Sequence, residues 1–171
     1  MKKFVLLMAT GLLLVINSSG QEMNQVVFSE KTNSNILLGY CDRDGFAQGE
    51  FQTWFDMNYE SYSPDQKALE NLRNIDKQKL TVKIVLGTWC PDSRREVPVF
   101  FRVADEIGIP DEKLSIICVN RMKEFPGTDI SHLDINFVPT FIFFRSGTEI
   151  GRIIESPAES IENDILKILA Q

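Results

Sequence analysis

The chain is 171 residues long, 43% apolar, 25% charged and 10% aromatic, with a net charge of −6 and a pI near 4.9. One domain of ordinary size fits that length. With 7 Pro, 10 Gly and no repeat at a fixed period, disordered, collagen-like and solenoid architectures are excluded, and the acidic balance leaves no basic footprint for nucleic acid as a partner.

At the N-terminus Lys2 and Lys3 precede an apolar stretch from Phe4 to Ile16, followed by Asn17, Ser18, Ser19 and Gly20. A charged n-region, a short h-region and a small-residue zone read as a secretory signal peptide over residues 1–20. The stretch falls short of the roughly 20 residues a spanning helix needs. The expectation is therefore a periplasmic or secreted protein with no stable membrane insertion after cleavage. The first cysteine past the apolar run is Cys41, too distant for lipid attachment at the leader. Cys41, Cys90 and Cys118 make an odd set, which in an oxidising compartment leaves at least one thiol unpaired within the molecule.

Residues 21–35 are polar around Val26, Val27 and Phe28 and read as a flexible tail, with the folded domain spanning 36–171. Ile36 to Tyr40 reads as an early strand ending at Cys41. Asp42-Arg43-Asp44-Gly45 is a turn, because the later ligands of a calcium loop are missing. Phe51, Trp54, Phe55, Tyr59 and Tyr62 fall along one face of a helix. Ser63-Pro64-Asp65-Gln66 starts the next helix, with Ser63 as cap and Pro64 in the first helical position. Leu80 to Thr88 is a strand covered on both faces. Pro91 opens a helix whose inward face carries Val97, Phe100, Phe101 and Ala104 and which stops at Gly108. Leu114 to Val119 is a second continuous apolar strand, and a short helix near Asp129–Leu133 leads to Val138-Pro139-Thr140. Phe141–Phe144 and Glu149–Glu155 form a hairpin about Ser146-Gly147. Ser156-Pro157-Ala158-Glu159 reads as a capping box for a last helix with Ile161, Ile165, Ile168 and Leu169 inward.

This order implies an α/β fold with a central mixed sheet and helices on both faces. Chemistry in such folds gathers at the C-terminal edge of parallel strands, and Trp89-Cys90-Pro91-Asp92-Ser93 occupies that edge. A thiol at a helix N-terminus sits near unsatisfied N–H groups and the positive end of the macrodipole, so the thiolate of Cys90 is favoured. Arg94 and Arg95 add to this and Asp92 opposes it. Trp89 walls the sulfur, and the Ser93 hydroxyl, one turn on, is placed to donate to it.

The same residues resemble the thioredoxin motif Trp-Cys-x-x-Cys, with Ser93 in the place of the second cysteine. Pro98 matches the kinking proline of the helix that follows, Val138-Pro139-Thr140 resembles the cis-proline loop, and Gly147 matches the glycine of the closing hairpin. The chain is similar to secreted bacterial thioredoxin-like proteins with a Cys-x-x-Ser motif. The resemblance covers about residues 80–171 and implies a thioredoxin fold, with residues 36–79 adding an N-terminal helical elaboration.

It further implies a thiol–disulfide oxidoreductase or isomerase-like protein of the bacterial envelope. Cys90 would attack protein or small-molecule disulfides, and Val138 and Pro139 would hold the substrate backbone. Two departures limit this. Ser93 cannot attack a mixed disulfide, and the buried acid that the family keeps six residues before the first cysteine is here Ile84. Cys41 becomes a possible resolving thiol if its strand runs parallel to Leu80–Thr88, whereas Cys118 reads as an inert small hydrophobe in a buried strand. The alternative is a non-catalytic module holding extended peptides at the Trp89/Val138-Pro139 surface. His132 has no ligands spaced around it for a metal. No phosphate loop, nucleophile elbow or dinucleotide fingerprint calls for a cofactor.

Overall fold

The computed structural model describes residues 22–171, so the leader assigned to residues 1–20 lies outside the described residues. The first elements are β1 (Val26–Ser29) and β2 (Ser34–Leu37), an antiparallel pair in which Val27 faces Ile36. Residues 26–35 are thus a hairpin rather than the loose tail their polarity suggests. The reason is tertiary: Ile36 and Leu37 are buried in the core and hold the hairpin down.

There follow β3 (Gly39–Cys41), α1 (Arg43–Phe46), α2 (Gly49–Ser61), α3 (Gln66–Arg73), β4 (Leu80–Leu86), α4 (Pro91–Glu106), β5 (Leu114–Cys118), β6 (Thr140–Arg145), β7 (Thr148–Ile154) and α5 (Ile161–Leu169). The five-stranded sheet has the order β3-β5-β4-β6-β7. The strands β4 and β5 are parallel and joined through α4, while β6 and β7 run antiparallel to their neighbours as a hairpin. On the far edge β3 is antiparallel to β5, pairing Gly39 with Cys118 and Cys41 with Ile116.

Strand alternation sends successive side chains to opposite faces. Val82, Ile84, Leu86, Ile116, Phe141 and Phe143 face one core, which α2, α3, α4 and α5 cover. Phe100 of α4 is fully buried there and stacks on Phe141 with ring centroids 4.8 Å apart. Each fully buried side chain of this kind contributes about 1.5–3 kcal/mol. Val85, Ile117 and Ile142 face the second core, closed by segment 119–138 with its 3-10 turn Ser131–Leu133.

Local hydrogen bonding decides where helices begin. The Asp65 carboxylate accepts from the Ala68 N–H at 2.8 Å and caps α3, displacing Ser63 from that role. Buried Glu162 holds the preceding segment extended by accepting from the Asp65 N–H (2.8 Å) and the Tyr62 hydroxyl (2.8 Å). The same contact, after burial itself, pushes the Tyr62 hydroxyl well above its ordinary value. Ser160 caps α5, one turn later than the expected Ser156 box, while the Asp164 carboxylate ties back to the Ala158 N–H at 2.6 Å. Asp42 caps α1 through the Asp44 N–H, so the acidic fragment is a one-turn helix rather than a plain turn.

Pro98 lies inside α4 and has no N–H for the carbonyl of Arg94. The side-chain amide of Asn58, from α2, donates to that carbonyl at 3.3 Å. A polar residue on the aromatic helix thereby compensates the proline in its neighbour.

Candidate active site

The site begins where β4 runs out. Gly87 to Trp89 turn the chain, the Cys90 N–H donates to the Gly87 carbonyl at 2.8 Å, and Cys90 becomes the N-cap of α4 with Pro91 at the first helical position. Proline is at home there because the missing N–H would have had no helical partner. Cys90 is 7% exposed and belongs to the second-face core with Val85, Ile117 and Val138. Its thiol donates to the Val138 carbonyl at 3.2 Å. The Val138–Pro139 peptide is cis, and the Pro139 carbonyl accepts from the Glu155 N–H at 2.7 Å. Two motifs 48 residues apart therefore meet at one sulfur.

Trp89 is half-buried beside it. Its indole N–H donates to the Val119 carbonyl at 2.8 Å, and the Arg121 guanidinium lies 5.0 Å from the ring. The ring covers Gly87 so closely that a Cβ there would stand 2.5 Å from Trp89 Cε2. Thr88 is fully buried. Its hydroxyl oxygen accepts from the Leu37 N–H at 3.0 Å and so ties the N-terminal hairpin to the loop.

The neighbours on α4 are arranged differently from expectation. Arg94 donates to the Thr88 carbonyl at 2.6 Å. Arg95 bridges Asp92 (2.8 Å), Glu96 (2.7 Å) and Ser156 (3.0 Å), and the Glu96 hydrogen bond holds its guanidinium above the ordinary value. Both cations are thus committed to oxygen atoms of the scaffold, and Asp92 is paired. Ser93 is fully buried and its hydroxyl oxygen accepts the Gly87 N–H at 3.2 Å, so the hydroxyl serves the loop backbone and no hydrogen bond links it to Cys90 among the described residues. Ile84 is fully buried on the opposite face.

The structure does not bring Cys41 to Cys90. Because β3 is antiparallel to β5, and β5 parallel to β4, Cys41 runs away from the edge where Cys90 sits and lies level with Ile116 and Ile84. It also faces the first core with Cys118, whereas Cys90 is in the second. His132 is exposed on the 3-10 turn, and among the described residues no group of His, Cys, Asp and Glu could hold a metal ion.

Sequence reasoning missed Gly87, Thr88, Val119 and Arg121. Gly87, two residues before Trp89 at a strand end, is the one signal that could have pointed to a close approach. Exposed Met122 and Phe137, at 57% and 52%, flank the Arg121 and Val138 positions in sequence and were not marked by any periodicity.

A parallel β–α–β unit followed by a hairpin and helix, with a cysteine opening the crossover helix against a cis-proline loop, defines a thioredoxin fold. Similarity to known proteins agrees. The chain is 28% identical over 80 residues to a thioredoxin-like protein of Acanthamoeba polyphaga mimivirus, an alignment covering 47% of this chain and 56% of that protein. The chain thus matches little more than half the length of this curated relative. Among solved structures it resembles a protein of unknown function from Pseudomonas aeruginosa, with TM-score 0.55 at 15% identity over 75% of this chain and 89% of that one. It also resembles an HIV epitope scaffold, with TM-score 0.57 at 14% identity over 75% and 92%. No family model matches the chain.

Proposed function

We propose that the protein carries out thiol–disulfide exchange in the bacterial envelope through a single motif thiol, Cys90. The observation that carries the reading is the 3.2 Å contact from Cys90 at the α4 N-cap to the Val138 carbonyl. It sets the sulfur beside a backbone edge on which an extended peptide can pair. The thiolate attacks one sulfur of a substrate disulfide, a Cys90–substrate disulfide forms, and the other substrate sulfur leaves as a thiolate that takes up a proton. The ionised sulfur has no hydrogen for the Val138 carbonyl, which is then open to a substrate N–H. Neither Ser93 nor Cys41 can release the adduct, so a small-molecule or partner thiol attacks it and returns Cys90. The leader read at residues 1–20 supports the envelope location.

The test is a mixed-disulfide trap. Wild-type protein and Cys90→Ala are incubated with an oxidised disulfide peptide and read by intact mass without reductant. A persistent one-to-one adduct on wild type that is absent from Cys90→Ala is expected. A second reading, a peptide-holding module, draws on the low exposure of Cys90. It takes over if wild type forms no adduct in any redox buffer while Cys90→Ala binds the peptide as tightly as wild type.

A further inference from the structure

Cys41 and Cys118 lie outside the Cys90 site, and the sheet places them together. In the β3/β5 register Gly39 stands opposite Cys118 and Cys41 opposite Ile116, so the two cysteines are diagonal neighbours on one face. Both are in the first core, 4% and 0% exposed. Each ends its strand, and theirs is the diagonal that right-handed strand twist draws together. The position facing Cys118 is Gly39, which brings no side chain of its own, and the Phe125 ring fills the place a Cβ there would take, 3.0 Å from Cε2. The Cys41 thiol turns back along its own strand toward that position, donating to the Gly39 carbonyl at 3.6 Å. Burial first, and then the neighbouring Cys41 side chain, pushes the Cys118 thiol well above its ordinary value.

From this juxtaposition we infer that Cys41 and Cys118 are a second redox pair, closing to a buried cross-strand disulfide that fastens the edge strand to the sheet and leaves Cys90 as the one free thiol. Diagonal neighbours stand roughly 7–8 Å apart between Cα atoms, while a disulfide spans about 4.4–6.8 Å. Closure therefore draws the strand ends together by about 1 Å, which a three-residue edge strand can give. The oxidant is a small-molecule disulfide such as oxidised glutathione. One cysteine thiolate attacks it, forming a mixed disulfide and releasing one small thiol. The other attacks that mixed disulfide at the cysteine sulfur, forming the Cys41–Cys118 bond and releasing the second small thiol. Two protein thiols are oxidised, one small disulfide is reduced, and the two protons end on the small thiols. Cys41 lies on the edge strand and Cys118 one strand in, so Cys41 attacks first, before β3 has docked.

The full-length chain is unfolded, reduced and refolded with oxidised glutathione, then blocked with iodoacetamide under denaturing conditions and digested without reductant. The expected product is a linked pair of peptides carrying Cys41 and Cys118, about 2 Da lighter than the two reduced peptides together, with Cys90 outside the link as an alkylated or glutathione-bearing residue. Cys90→Ala should give the same linked pair. Three separately modified cysteines, or a link that includes Cys90, overturns the inference. As an independent readout, reductant should lower the Tm of oxidised Cys90→Ala but leave Cys41→Ala in the Cys90→Ala background unmoved; an equal shift in both also overturns it.

Discussion

Gly87→Ala tests whether the loop before Cys90 is held by the packing of Trp89. Gly87 has no left-handed backbone angle, so the cost of a side chain there is steric alone. The added methyl would stand 2.5 Å from Cε2 and 2.6 Å from Nε1 of Trp89, closer than nonbonded atoms tolerate, and the indole must move. Moving it breaks the hydrogen bond to the Val119 carbonyl, about 1 kcal/mol net, and the Arg121 contact, about 0.5–1 kcal/mol at a partly exposed site. The expected loss is about 2 kcal/mol, or roughly 4–8 °C in Tm for a domain of this size. Urea melts of wild type, Gly87→Ala, Trp89→Ala and the double variant give the coupling directly. The penalty of Gly87→Ala should largely vanish in the Trp89→Ala background. If it is the same in both backgrounds, the indole is not what the methyl meets and the account of the loop fails.

Three further outcomes follow from the same contacts. Ser93→Cys supplies a second motif thiol and should turn the long-lived substrate adduct into turnover in an insulin-reduction assay; an unchanged adduct lifetime would show that a thiol at that buried position cannot reach Cys90. Phe100→Ala empties the space between Phe101 and Phe141 and should cost about 3–5 kcal/mol in chemical denaturation, with a loss under 1 kcal/mol contradicting the packing described. Glu149 is held below the usual carboxylate range, first by its hydrogen bond from Arg152, at 2.7 Å to each oxygen. Its contribution is therefore full above the unfolded carboxyl value and lost as pH falls through the lower folded value. After solvent screening this is below about 1 kcal/mol, and Glu149→Gln should be less stable than wild type at neutral pH and converge with it in acid.

Much of the site was readable because its signals are local. A proline directly after a cysteine, at the point where a β-branched run gives way to helical spacing, fixes Cys90 at a helix start whatever the rest of the chain does. The inward faces of α4 and α5 were equally plain: Val97, Phe100, Phe101 and Ala104, and Ile161, Ile165, Ile168 and Leu169, are all buried. Cap positions were harder, because Ser63 and Asp65 both have the chemistry to cap. The choice was made by Glu162, 97 residues away from Asp65. Arg94 and Arg95 show the same limit. Their charges promised help to the Cys90 thiolate, yet which oxygen a long cation meets is settled by the loop and by Glu96, not by its position on the helix.

The direction of β3 is the case with most consequence. A three-residue strand carries no mark of its polarity relative to a partner more than 70 positions on, and both directions bury the same alternate residues. Had β3 run parallel to β4, Cys41 would have ended at the edge of the sheet that carries Cys90, and a resolving role would have followed. The antiparallel pairing with β5 sends it toward Ile116 on the opposite face and sets it diagonal to Cys118. One reversal of one short strand thus divides three cysteines into a buried pair and a lone reactive thiol. Cys41→Ala should then leave the lifetime of the Cys90–substrate adduct unchanged, because the sheet itself stands between the two sulfurs; a lengthened lifetime, measured by intact mass over time, would mean that Cys41 reaches Cys90 after all and that β3 leaves its place during the reaction.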